Sequence, residues 1–190
     1  MREACTQARA WQEAGLPPMP MAVNVSATEF HDKGFVASVR RILSETRLEP
    51  PYLELELAEG VLMDDAESTA SVLHGLKKMG VRIAVDDFGT GYSSLSYLRQ
   101  FPIDVLKIDQ SFVHQMTTDS EDSTIVSAII NMGKGLKHLV VAEGIETQAQ
   151  RAYLQSQFCQ EGRGYLFSPP LAAAQFAHLL QIGLADAAVH

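Results

Sequence analysis

The chain is short of several things at once, and each shortage removes a class of function. Its two cysteines, Cys5 and Cys159, lie far apart with no CxxC, so no disulfide framework is expected. They read as reduced thiols of a cytoplasmic protein. The six histidines are scattered, without HxH or HExxH, which sets a zinc hydrolase aside. Fifteen Lys and Arg face 23 Asp and Glu, a net charge of −8, and no basic stripe exists to displace counterions from a nucleic-acid polymer. A small phosphate ligand stays open, because bound cations can reverse the local sign. No apolar run reaches the length of about 18 residues that suggests a membrane span, and no signal-peptide pattern appears, so membrane insertion is not expected. Repeats, low-complexity tracts and linkers are also missing. With 46% hydrophobic and 20% charged residues, the chain fits one globular domain over 1–190.

What is present is alternation. Short β-branched apolar runs predict strands at 21–25, 52–57, 81–85, 104–108 and 139–142, with a weaker one at 164–167. Helical periodicity predicts helices over 3–14, 34–46, 66–79, 93–100, 122–137, 147–157 and 172–182. Gly15 with Pro17 and Pro18 ends the first helix, and Gly80 closes the third. Strand–helix alternation means a parallel sheet under covering helices. About six β/α units result, whereas a complete (β/α)8 barrel needs roughly 250 residues. The fold is therefore α/β, either an open doubly wound sheet or a TIM-like barrel lacking about two units. Periodicity does not separate the two.

The strands end in residues that packing does not explain. Asp86 and Asp87 follow the apolar run 81–85 and precede Phe88-Gly89-Thr90-Gly91. Two like charges so close repel unless a proton or cation intervenes. Two glycines just after them let the backbone turn and present both carboxylates at one rim. An acidic turn capping the next helix is the plainer alternative. Val23-Asn24-Val25-Ser26 places an Asn at the first strand's end, and Leu53-Glu54-Leu55-Glu56-Leu57 alternates so that Glu54 and Glu56 share a face. Lys107-Ile108-Asp109 and Ala142-Glu143-Gly144 end two further strands. Such a rim, at the carboxyl ends of parallel strands, is where α/β barrels carry chemistry. Asn24, Glu56, Asp86 and Asp87 offer hard oxygens suited to Mg²⁺ or Mn²⁺, and paired carboxylates can serve two ions against a phosphodiester. Lys107 would orient the attacking water or stabilise charge on phosphate, or else sit in a buried ion pair; the roles are compatible. Glu143 is a candidate general base or metal contact.

With these residues in view, the chain resembles the EAL domain family of cyclic di-GMP phosphodiesterases over nearly its whole length. The matches are Asn24 in Val-Asn-Val-Ser, Glu56 and Glu59 in Glu-Leu-Ala-Glu, and Asp86-Asp87-Phe-Gly-Thr-Gly-Tyr-Ser-Ser-Leu95. Lys107 in Leu-Lys-Ile-Asp, Glu143 and Glu146 in Ala-Glu-Gly-Ile-Glu, and Gly164-Tyr165-Leu166-Phe167 complete them. The resemblance implies a TIM-like barrel that linearises cyclic di-GMP to pGpG with two Mg²⁺ or Mn²⁺ ions. It implies Asn24, Glu56 and Asp86 on the first metal, Asp86 and Asp87 reaching the second, and Glu143 and Lys107 on the nucleophilic water. Glu59 would anchor the loop 88–95, which in the family also serves homodimerisation. Asp109 and Glu146 occupy motif positions with less defined roles. An upstream sensory or GGDEF-type domain is the expected companion in a fuller protein.

Three departures stand out. The Glu-Ala-Leu segment, whose glutamate is a family metal ligand and whose nearby arginine helps hold substrate phosphate, is not among these residues. Arg163 stands where the family has Gln, an added cation near the second metal or substrate, and Ala58 replaces a Thr. The departures keep a second reading alive, a catalytically inactive cyclic di-GMP receptor. A third takes Lys107 as the Schiff-base lysine of an aldolase-type barrel.

Overall fold

In a computed structural model, residues 1–63, 65–91, 95–116 and 121–182 are described. Helix α1 (Arg2–Glu13) precedes strand β1 (Met21–Val25), followed by α2 (Ala27–Phe30) and α3 (Phe35–Thr46). Then come β2 (Leu53–Ala58), α4 (Ala66–Met79), β3 (Arg82–Phe88), α5 (Leu95–Gln100), β4 (Val105–Ile108), α6 (Gln110–His114) and α7 (Glu121–Leu136). The chain continues through β5 (Leu139–Ala142), α8 (Gln148–Ser156), β6 (Glu161–Gly162) and α9 (Ala173–Ile182). Three-residue-per-turn segments at Pro50–Tyr52 and Glu59–Leu62 flank β2. The beginning of the predicted helix 93–100 falls on residues outside the described ones.

All six strands are parallel and lie in the order β1-β2-β3-β4-β5-β6. A doubly wound sheet reverses its strand order at a switch point. A strictly sequential order has no such reversal, so the architecture is that of a TIM-like (β/α) barrel, of which the described residues supply six strands. Within the described residues β1 and β6 do not pair, and the sheet is open there.

Strand alternation sorts the side chains into two layers. Leu53, Leu55 and Leu57 of β2, with Ile83, Val85, Leu106, Ile108 and Val140, pack against the helices in one large core. On the inward face Ala84, Val105 and Val141 form a separate small apolar cluster. The polar rim belongs to that inward face. Burial on both faces explains why β2 is buried from Leu53 to Leu57 despite its glutamates.

Helix starts follow their capping residues. Ser26 with Glu29 and Thr147 with Gln150 form capping boxes, and the Asp65 side chain accepts from the Ser68 amide at 3.1 Å. The α4 helix ends at Gly80, as the sequence predicts. No helix among the described residues is long and apolar enough to cross a membrane.

The sixth strand departs from expectation. It lies at Glu161–Gly162, not at 164–167. The ladder with β5 continues through Arg163, whose amide donates to the Ala142 carbonyl at 2.8 Å and whose carbonyl accepts from Ile145 at 3.0 Å. At Gly164 the backbone then presses on Ile145: a Cβ there would stand 2.1 Å from the Ile145 carbonyl oxygen. Residues 164–167 turn over this contact, with the Phe167 amide donating to the Gly164 carbonyl at 3.0 Å.

Beyond β6 the chain returns to its start. Trp11 of α1 and Phe176 of α9 meet with ring centroids 5.3 Å apart.

Candidate active site

The site begins with an irregularity in β3. Pairing with β4 is regular at Ala84 and Val85 and shifts register before Phe88, so Asp86 and Asp87 occupy a bulge. Asp87 has φ +52°, a left-handed conformation that Asp tolerates better than most residues. The sequence suggests that the following glycines make the turn; the backbone already turns at Asp87. The two neighbouring carboxylates serve different partners. Asp86 reaches Lys107, and Asp87 shares a hydrogen bond with Asp109.

Lys107 is the centre. It points inward from β4 with its side chain 4% exposed. Its Nζ lies 2.8 Å from Glu56 Oε1, 2.8 Å from Asp86 Oδ1 and 3.0 Å from Glu143 Oε1. Three strands thus deliver three carboxylates to one ammonium. Burial works against the charge, but the hydrogen bonds to Asp86 and Glu56 and the field of Glu143 outweigh it and push Lys107 up to about 12. An ammonium held by three carboxylates is poorly placed to act as a general base or a Schiff-base nucleophile, which counts against the aldolase reading. Glu143 is raised, first by burial, with Asp86 and Glu56 adding to it and Lys107 opposing.

A second cation joins from the last strand. Arg163 Nη1 lies 3.2 Å from the same Glu56 Oε1, and its Nη2 lies 3.8 Å from Glu54 Oε1. The other oxygen of Glu54 faces Arg82 Nε at 3.3 Å. Burial raises Glu54, and the two arginines oppose the rise. Glu54 and Arg82 were not among the predicted site residues. The alternation that exposes Glu56 signals Glu54 equally. Arg82 has no such signal, since it meets Glu54 only through the β2–β3 register.

Asp87 and Asp109 form the neighbouring pair. Burial, the hydrogen bond to Asp109 and the charge of Asp86 push Asp87 up to about 6. Burial acts on Asp109 in the same direction, yet its carboxyl is lowered, because the Ser111 hydroxyl and amide both donate to it. Asp109 also caps α6.

The other predicted residues lie around this centre. Asn24 is exposed on β1, in register with Glu56. Glu146 pairs with His114 at 3.3 Å and is not a partner of Lys107. Glu59 is 4% exposed and accepts from the Gly89 amide at 3.0 Å, beneath the loop after β3. Its Oε1 has no hydrogen-bond partner among the described residues. That oxygen lies 2.8 Å from where a Cβ on Gly91 would stand, so a side chain there would require the Glu59 carboxylate to shift. Residues 92–94 of the loop motif lie outside the described ones.

The donors suit a hard divalent cation, being all oxygen with no sulfur or imidazole among them. Among the described residues no group of three or more His, Cys, Asp or Glu side chains stands ready to hold a metal ion. The acids that converge are closed on Lys107 and Arg163.

Residues 1–170 match the EAL domain family. The bifunctional diguanylate cyclase/cyclic di-GMP phosphodiesterase MucR of Pseudomonas aeruginosa is 45% identical over 173 residues, covering 91% of this chain and 25% of MucR. The chain therefore spans about a quarter of that relative's length. Among solved structures, the PaMucR phosphodiesterase in complex with c-di-GMP superposes with a TM-score of 0.89 at 44% identity, covering 92% of this chain and 71% of that one. The EAL domain of Mycobacterium smegmatis DcpA gives a TM-score of 0.91 at 38% identity, covering 96% and 82%. By its motifs, its sequential parallel sheet and these likenesses, the chain belongs to the EAL domain family.

Proposed function

We propose that this chain, as a single domain over 1–190, hydrolyses cyclic di-GMP to pGpG with the help of two Mg²⁺ or Mn²⁺ ions. The observation that carries the reading is the convergence of Glu56, Asp86 and Glu143 on Lys107 at the carboxyl rim of the sheet. The name of the MucR relative supplies the substrate. Asn24, Glu56, Asp86 and Asp87 would hold the ions, which when bound would acidify a water and offset charge on the phosphodiester.

The chain's own groups have distinct tasks. Lys107 holds three carboxylates in position, and on releasing one of them to a metal ion it can donate to oxygen that gains negative charge as water attacks phosphorus. Glu143, raised by burial, accepts the proton of that water. The new P–O bond forms as the bond from phosphorus to the ribose 3′ oxygen breaks; that oxygen takes up a proton from solvent to leave as the 3′ hydroxyl, and the 5′ phosphate stays on linear pGpG. Glu59 supports the loop after β3 through Gly89. Homodimerisation through that loop, and a sensory or GGDEF-type companion domain, complete the proposal.

One experiment separates turnover from mere binding. Purified protein is incubated with cyclic di-GMP and Mn²⁺, and pGpG is followed by chromatography. Hydrolysis is expected, with Lys107→Met slower by about 100-fold or more. A version with a Glu-Ala-Leu segment joined upstream should be faster than these 190 residues. Nucleotide bound without pGpG from either version would leave the receptor reading, which draws support from the carboxylates being closed on two cations.

A further inference from the structure

Glu56 stands out among the rim acids because one of its oxygens serves two cations. Lys107 approaches Oε1 at 2.8 Å from within the sheet, and Arg163 approaches it at 3.2 Å from the rim. Lys107 is already shared with Asp86 and Glu143, so it neutralises none of the three acids fully. Arg163 adds its charge to Glu56 in particular.

Its position there is prepared. Glu54 is 3% exposed and held between two arginines, Arg82 on one oxygen and Arg163 on the other. Arg82 lies 3.3 Å from one Glu54 oxygen, and the charge of the other, 3.8 Å from Arg163, draws the guanidinium toward the hydrogen bond it makes with Glu56. The backbone of residue 163 is separately held by Ala142 and Ile145. The side chain can therefore leave without disturbing the ladder, and at 47% exposed it has solvent to move into.

We propose that Arg163 is a built-in competitor for the divalent cation, a parked positive charge that lowers the affinity of the Glu56 side of the site for metal. The inference rests on the metal-dependent reading above. A cation entering beside Glu56 meets a carboxylate whose charge is already partly cancelled, and it is repelled by a guanidinium a few ångströms away. Binding then requires the Arg163–Glu56 pair to loosen. An uncharged side chain at this position removes both costs.

The test reads metal binding directly. Mn²⁺ is titrated into metal-free wild type, Arg163→Gln and Arg163→Lys by isothermal calorimetry, with circular dichroism confirming that each is folded. Arg163→Gln is expected to bind Mn²⁺ about five- to tenfold more tightly than wild type, the scale of one screened charge pair at a half-exposed site. Arg163→Lys, which keeps the charge but loses the two-pronged grip, should fall between them. Equal or weaker Mn²⁺ binding by Arg163→Gln overturns the proposal while leaving the metal-dependent reading intact. No Mn²⁺ binding by any of the three overturns both.

Discussion

A buried ammonium surrounded by three acids is a device for keeping carboxylates together, and Lys107 is that device here. Its charge does not switch in any ordinary pH range, so the pH response of the site comes from elsewhere. Asp87 is the group to watch. Its ordinary value is 3.8, and it is raised to about 6. Between these values the folded protein keeps a proton that the unfolded chain releases. The favourable contribution is thus fully present below 3.8 and lost as pH rises through about 6. Asp109, lowered in its coupled pair, contributes in the opposite sense, and only as pH falls below its ordinary 3.8. In chelator, Asp87→Asn should melt close to wild type near pH 4 and above it by pH 7.5. A melting difference that ignores pH would show that Asp87 carries no such burden. At this scale the sequence was informative wherever a charged residue ended an apolar run, as with Asp86, Lys107 and Glu143. Contacts that depend on register, such as Arg82 with Glu54, left no trace in the linear pattern.

At the scale of elements, two short irregularities shape the site, the bulge in β3 and the two-residue strand β6. Gly164-Tyr165-Leu166-Phe167 has a strand's composition, yet at Gly164 the backbone packs so closely on Ile145 that there is no room for a Cβ, and the chain turns there. The real pairing ends one residue earlier, and the turn that follows leaves Arg163 at the rim. Gly164→Ala places a methyl 2.1 Å from a carbonyl oxygen that belongs to the main chain and has little room to yield. It should cost about 2–4 kcal/mol in urea unfolding, and a loss below about 0.5 kcal/mol would show that the loop relocates freely. Five strands and the longer helices were readable, because each is long enough to show a repeat of its pattern. The four-residue α2 and five-residue α6 are too short to display one. Only their capping residues, Ser26 and Asp109, announce them.

At the scale of the whole molecule, six parallel strands in sequential order bend toward closure, while β1 and β6 remain unpaired within the described residues. Neither the bend nor the meeting of α1 with α9 is written in hydrophobic periodicity, since both depend on accumulated strand twist. The contact between Trp11 and Phe176 joins the first helix to the last, and α9 adds only Leu179 to the buried interior. A seam so lightly fastened should part before the sheet dissolves. Trp11 is also the chain's only tryptophan, so the protein's indole emission originates at that seam. Fluorescence and far-UV circular dichroism thereby watch different events in the same cuvette. In urea the emission change is expected to precede the loss of ellipticity, and Phe176→Ala should move the first midpoint further than the second. Coincident midpoints in both proteins would make the seam part of one cooperative unit. With no label attached, the molecule carries its own lamp at the seam between α1 and α9.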